Sequence, residues 1–374
     1  MVKEGSLLRS LFRSNSSSSD EVSDSDSDSD SDRDACETIL KKSDALSEID
    51  SSCQKLTSIS TFMGNVSIAE VKFGSDISQR LWPAAEFLAN FVLKFASYHT
   101  PHRTECCNVP EKAKERRTEW EEEGQSIPVI SDRRPDGTDA IKRKLALTNL
   151  EILLTESFNS RGSTGIVPLQ IIELGAGVGL VGIKIATELP CQILLTDLDQ
   201  ALPLLKKNVE LNAKQLFKNN DKYSTVEVKK LSWGTDDWKI CLDRIQKMRG
   251  SNCDNENVEV SHGRDCIKVL LLASECVYFE ELHEPFEQTL ADILSSSPEG
   301  SMCLISQTRR FKRDNTFYAK LGRNTRTATH GLTCVCVQEV VRRDFDGGKN
   351  DFGIRRQIMR VYAIQWIQYC YANK

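Results

Sequence analysis

The chain has no apolar run near the roughly 18 residues needed to cross a bilayer, so no membrane span is expected. Its opening residues, MVKEGSLLRSLFRSNSSSS, lack the apolar core of about 7–15 residues that a secretory leader needs. An acidic run follows too soon for their Arg and Ser to read as a transit sequence. Thirteen cysteines are present but scattered. The close pairs are Cys106-Cys107 and Cys334-x-Cys336, and no Cys/His set has zinc spacing. No metal site is predicted; free thiols in a reducing compartment are. The five histidines form no pairing with a nucleophile. An excess of positive charge is also missing, because the formal net charge is −5. Residues 1–60 hold 13 Asp/Glu against 7 Lys/Arg, which leaves the rest of the chain close to neutral. Such a body lacks the basic face that a nucleic-acid partner requires. The expectation is a monomeric protein of the cytoplasm and/or nucleus, apart from membranes.

The acidity has a definite form. SSSSDEVSDSDSDSDSDRD (16–34) alternates Ser with Asp and has almost nothing apolar to bury, so residues 1–60 are expected to be a disordered tail. Order is expected from about Phe62. NVSIAEVKFG (65–74) alternates weakly, as an edge strand or hairpin arm does. QRLWPAAEFLANFVLKFAS (79–97) has helical spacing, with Pro83 suited to a first turn. Residues 98–140 are polar and rich in turn formers, as in a loop insertion, and 141–158 predicts a helix that returns the chain. The domain is therefore expected over 61–374, with insertions at about 98–165 and 238–265.

From Leu169 strands and helices alternate. Strands are predicted at 169–174, 191–197, 224–233, 266–274 and 301–307. Helices are predicted from the glycine turn to about Leu189, then at 199–214 with Asp199 as cap, 280–295 and 313–322. CIKVLLLAS (266–274) is a nearly continuous apolar run, which suits a strand covered on both faces. The chain closes with two strands (332–341 and 353–367) joined by an Asp/Gly-rich turn. The predicted fold class is α/β: a Rossmann-like, seven-stranded, mostly parallel sheet with a C-terminal antiparallel hairpin and helices on both faces.

The run IIELGAGVGLVGIKIA (171–186) places a glycine turn between a strand and a helix. Backbone N–H groups and the positive end of a helix dipole then face a ligand, which points to a nucleotide-containing cofactor without choosing one. Gly177, Gly179 and Gly182 spell G-x-G-x-x-G, as for NAD, while Glu173 before Gly175, Ala176 and Gly177 spells another signature. Glu173 repels a pyrophosphate but can pair with a cationic amino-acid end. Asp197 ends the next strand, where a carboxylate accepts ribose hydroxyls, and this suits either cofactor. LSW (231–233) offers the Trp233 ring to an adenine, and ASECVYFEEL (273–282) spaces an acid and a tyrosine as Glu275-x-x-Tyr278. Ligands of such sheets bind beyond the carboxyl ends of the strands, so these features share one cleft and favour S-adenosylmethionine over NAD. Trp82, Trp233 and Tyr278 also suit plain packing, and Gly182 suits helix packing.

The segments LWPAAEFLA, IIELGAGVGLVGI, LLTDLDQALPLLKKNVELN, LSWG and ASECVYFEEL together resemble the seven-stranded S-adenosylmethionine-dependent methyltransferases. Within them the similarity is to methyltransferase family 16, protein-lysine methyltransferases of non-histone substrates, over about residues 65–97 and 165–366. The resemblance implies S-adenosyl-L-methionine as cofactor. It implies Trp82 lying over that cofactor, with Glu173, Gly175, Ala176 and Gly177 holding its amino-acid end. Asp197 and Leu198 would contact ribose and adenine, Trp233 would neighbour the adenine, and Ser274 would line the site. Glu275 and Tyr278 would be catalytic, with Glu275 standing where the family pattern has Asp. The implied function is methyl transfer to a lysine of a protein substrate. Alternatives are transfer to another protein residue or a small molecule, a non-catalytic cofactor-binding interaction protein and, more distantly, an NAD oxidoreductase.

Overall fold

The computed structural model describes residues 54–61, 64–71, 77–99, 138–159, 169–218, 225–250, 268–309, 314–321, 330–344 and 355–368. The tail to residue 53, most of the 98–165 insertion, residues 251–267 and the last hairpin turn lie outside them. An antiparallel hairpin opens the described chain, β1 (Gln54–Thr61) paired with β2 (Gly64–Val71). A strand thus begins eight residues before the expected start at Phe62. Ile59 and Thr61 of β1 are buried beside β2, so this segment has an apolar face despite its polar composition.

Helix α1 (Pro83–His99) starts at the predicted proline, and α2 (Thr138–Asn159) returns the chain. Strand β3 (Leu169–Leu174), helix α3 (Leu180–Glu188), strand β4 (Cys191–Asp197) and helices α4 (Leu202–Leu211) and α5 (Ala213–Lys218) follow. Asp199 does not cap α4. Ala201 holds that position without a side-chain bond, and Asp199 lies in the preceding turn, 3.0 Å from Lys230. Strand β5 (Thr225–Lys230) leads into helix α6 (Lys239–Gly250). The expected 238–265 insertion therefore begins as a helix. Its polarity hides a short apolar side, because Cys241 is buried and Ile240 and Leu242 pack beside it. Strand β6 (Val269–Ser274), helix α7 (His283–Ser296), strand β7 (Met302–Arg309), helix α8 (Asp314–Leu321) and the long strands β8 (His330–Asp344) and β9 (Arg355–Gln368) complete the order.

Strands β3 to β9 make one sheet in the order β5-β4-β3-β6-β7-β9-β8. β5, β4, β3, β6 and β7 run parallel, while β9 is antiparallel to both β7 and β8. Side chains alternate across a strand, and here each face meets helices. Leu270 and Leu272 of β6, with Met302 and Leu304 of β7, join the core under α1, α2 and α3. Leu271 and Ala273, with Cys303 and Ile305, join the core under α6, α7 and α8. Two-sided burial is why β6 reads as an unbroken apolar run. Six cysteines among the described residues are free thiols, four of them buried. No described helix is long and apolar enough to cross a membrane.

The hairpin reaches the sheet through two amides. Ser67 N–H donates to Asn212 Oδ1 (2.8 Å) and the Asn212 amide returns a bond to Ser67 O (2.7 Å). Asn208 does the same for Ala69 at 2.8 and 3.0 Å. Two strand residues advance about 6.7 Å and four helix residues about 6 Å, so asparagines four apart match alternate residues of β2. Asn208 is fully buried and also donates to Val178 O in the glycine turn (2.8 Å). Replacing it with Leu should lower unfolding free energy by about 2–4 kcal/mol, since Ala69 and Val178 would be left with unmet backbone groups. Urea unfolding of Asn208→Leu measures this; an unchanged midpoint would show that the amide does not carry the contact.

Candidate active site

The parallel strands end together, and their last residues form the site. At the end of β3 the turn passes through Gly175 and Gly177, with φ of 64° and 54°, a region closed to most side chains. Space is lacking as well. A Cβ at Gly177 would stand 2.7 Å from the Ser78 carbonyl oxygen, and one at Gly175 would stand 2.9 Å from both Cys276 Sγ and the Trp233 ring. Gly182 lies inside α3, where a Cβ would meet Leu195 and Glu173, so its role is packing, as expected. The Ala176 N–H donates to Thr196 O (2.9 Å), tying the turn to β4.

Two carboxyl groups hold this turn. Asp197 Oδ2 accepts from Gly177 N–H at 2.6 Å and Oδ1 from Leu198 N–H at 2.7 Å. Leu198 is about one-third exposed beside it (37%). Glu173 lies deeper, behind the glycine turn, and its Oε2 accepts from Gly182 N–H at 2.8 Å. Burial pushes its carboxyl up to about 8, the Gly182 bond opposes that rise, and the nearby Asp197 charge adds to it.

Trp82 and Trp233 are both half-buried. Trp82 precedes α1, and its carbonyl accepts from Ala85 N–H (3.0 Å). Trp233 packs against Phe286 with centroids 4.7 Å apart. The segment before Trp82 is held by the hairpin: Glu70 Oε2 accepts from Leu81 N–H at 3.1 Å, and Oε1 meets Lys55 and Thr57.

At the end of β6 the backbone turns sharply. Glu275 has φ 54°, the one non-glycine with positive φ among the described residues, and such a conformation costs about 1–3 kcal/mol. Its N–H donates to Ser306 O (2.9 Å), and its carboxylate accepts from Thr308 N–H and from Gln307 Nε2, both at 3.1 Å. Ser274 lies next to it, 3.0 Å from the Ser306 hydroxyl, which itself donates to Ala84 O. Tyr278 is half-buried and meets Phe279 edge-on at 4.7 Å. The structure thus gathers Glu173, Gly175, Ala176, Gly177, Asp197 and Leu198 on one wall and Ser274 and Glu275 on the next strand, with Trp233 against Gly175. Gln307 and Thr308 were not anticipated from sequence. Their one signal is that three polar residues extend the apolar run of β7. A hollow of about 370 Å³ lined by Asn149, Ile152, Lys268, Glu299 and Gly300 lies at the amino-terminal ends of β6 and β7, away from this site.

Glu173 makes stability depend on pH. Its ordinary value is 4.5 and its folded value about 8, so between these pH values the folded state keeps a proton that the unfolded chain has released. Stability contributed by Glu173 is full below 4.5, falls by at most about 1.4 kcal/mol per unit as pH rises, and is lost above about 8. Glu173→Gln should remove that slope. Urea unfolding of both proteins at pH 5.5, 6.5 and 7.5 checks this, and parallel curves would contradict it.

Residues 144–246 and 256–324 match the model of a family described as lysine methyltransferase. The chain is 30% identical over 161 residues to protein-lysine N-methyltransferase EFM6 of Saccharomyces cerevisiae, covering 41% of this chain and 56% of that one. It is 30% identical over 164 residues to protein N-lysine methyltransferase METTL21A of Danio rerio (44% and 61%). With METTL21A of Xenopus tropicalis the identity is 29% over 192 residues (51% and 71%). The match thus spans little more than half of the yeast relative's length. The part of the chain that matches the lysine methyltransferase family model, a little under half of its length, thus falls within the domain built on this sheet.

Proposed function

We propose that the chain transfers a methyl group from S-adenosylmethionine to a lysine side chain of a non-histone protein. The observation that carries this reading is the convergence, at neighbouring strand ends, of a carboxyl-backed glycine turn and the strained, buried Glu275. The names of the relatives, protein-lysine methyltransferases, support the acceptor class.

The donor set fits the cofactor. The glycine turn admits close backbone approach, Asp197 ends its strand where a carboxylate can accept from ribose hydroxyls, and Glu173 and Asp197 set acidic groups at the turn, which disfavours a pyrophosphate. Gly175, Ala176 and Gly177 would hold the amino-acid end, with Glu173 behind them. Asp197 and Leu198 would hold the nucleoside, and Trp82, Trp233 and Ser274 would complete the walls. When bound, the cofactor supplies an electrophilic methyl: the amine lone pair forms the N–C bond, the S–C bond's electrons return to sulfur, and positive charge passes to nitrogen.

The chain's own residues align and select. A lysine has an ordinary pKa of about 10.4 and must give a proton to solvent before it can react. Glu275 orients the resulting amine through a hydrogen bond, and Tyr278 shapes the entry. The carboxylate already accepts from Thr308 and Gln307, so it acts as a fixed acceptor. Burial excludes water from the reacting pair, and alignment supplies most of the acceleration.

Two measurements test this. S-adenosylhomocysteine should raise the melting temperature while NAD leaves it unchanged; the reverse would return the glycine turn to the dinucleotide reading. Glu275→Gln should lower labelled methyl transfer to protein by about 10²–10⁴-fold while binding S-adenosylhomocysteine normally. Full activity in that variant would remove Glu275 from the mechanism. Binding without any labelled protein in the wild type would favour a non-catalytic partner role.

A further inference from the structure

Beyond the apolar stretch Met302–Ile305, β7 continues into Ser306, Gln307 and Thr308, all buried. The Ser306 hydroxyl is bonded to Ala84 O. The other two differ. Gln307 Nε2 donates to Glu275 Oε2 at 3.1 Å and more weakly to Thr308 O at 3.4 Å. That contact fixes the amide orientation, since the reverse would set two acceptor oxygens against each other with no proton between them. Gln307 Oε1 is then turned from the carboxylate. It is buried without a hydrogen-bond partner among the described residues, and so is the Thr308 hydroxyl. Buried acceptors are nearly always partnered. Two such atoms beside Glu275, at the strand ends where sheets of this kind bind ligands, mark a place for an incoming donor.

We propose that Gln307 Oε1 accepts one N–H of the acceptor amine while Glu275 accepts the other, and that Gln307 thereby limits how many methyl groups a lysine receives. This rests on the lysine-methyltransferase reading above. A lysine free base carries two N–H bonds beside its reacting lone pair. After one transfer and loss of a proton to solvent it carries one, and after two transfers none. Each added methyl therefore faces an acceptor with no hydrogen to offer, and the buried amide oxygen is the less tolerant because solvent does not reach it. The first transfer is favoured and later ones are resisted.

The test does not require the substrate to be known. Full-length wild type and Gln307→Met are each incubated with methyl-labelled S-adenosylmethionine and cell extract, with extract alone as blank. The protein is then hydrolysed in acid and labelled mono-, di- and trimethyllysine are separated. Met keeps the length of Gln and removes both polar atoms. Wild-type label should lie mainly in monomethyllysine. The ratio of higher forms to monomethyllysine should rise about tenfold in Gln307→Met, the size expected from one unmet buried acceptor. Binding of S-adenosylhomocysteine by calorimetry should be unchanged. Gln307→Asn, which withdraws the amide by one methylene, carries the same test should the Met variant fail to fold. An unchanged ratio in a variant that binds and transfers overturns the role of Gln307. So does wild-type label mainly in trimethyllysine, or a variant that binds but transfers nothing. Label only in methylarginine or methylhistidine, or none, overturns the lysine reading itself.

Discussion

The geometry of the site depends on two backbone N–H groups of the glycine segment and the carboxyls that receive them. Gly177 donates to Asp197 and Gly182 to Glu173. One bond sets the apex of the turn and the other the first coil of α3. The two acids stand close enough for the Asp197 charge to raise the Glu173 carboxyl. A buried pair of like charges is costly, and the lower-cost arrangement keeps a proton on the deeper group. A cationic amino-acid end arriving over the turn reverses that preference, because positive charge stabilises the ionised form. The loop is thus better matched to a cation than to the pyrophosphate its glycine spacing also permits.

The segment before Trp82 is coupled to the same turn. Val178 O is held by Asn208, Asn208 by Ala69, and the next residue, Glu70, receives the Leu81 N–H beside Trp82. The hairpin is therefore a spacer between the glycine turn and Trp82, which explains why a two-stranded sheet persists apart from the main one. A hairpin alone is marginal in water. Here side-chain amides on a helix receive its second edge, and Val66, Ile68 and Val71 fill the core beneath.

Much of this was legible in the residues. Strands 169–174 and 191–197 keep their predicted limits as β3 and β4, because every position of β3 and all but Gln192 of β4 are buried. The two carboxyls behind the glycine turn stand out in the sequence as well: Glu173 interrupts one such strand and Asp197 ends the other. Less was visible where packing overrides composition. The polar 54–61 segment became a strand through its pairing with β2, and α6 formed in an apparent insertion because Cys241 has a core to enter. Asp199 has capping chemistry, but a further turn separates it from α4. Gln307 and Thr308 show the sharpest limit. Nothing in their local sequence tells that Glu275, 32 and 33 positions earlier, bends across to meet them.

That bend also gives a physical reason for a glutamate, rather than a shorter acid, at position 275. At Glu275 the left-handed backbone is held by the bond from its own N–H to Ser306 O, and the side chain then crosses to the neighbouring strand end. Both carboxylate oxygens are engaged there at 3.1 Å. An aspartate on the same backbone would fall one methylene short of Gln307 and Thr308, so a shorter acid would leave those donors unmet or require β7 to move. The extra methylene therefore seats the acid against β7, within reach of the Gln307 amide and the Thr308 N–H. On the reading proposed above, an acceptor amine would meet two fixed acceptors at the neighbouring ends of β6 and β7 rather than a single mobile carboxylate. Orientation by two points restricts rotation about the amine's C–N bond as one point does not, and alignment is the main resource a methyl transfer draws from the protein.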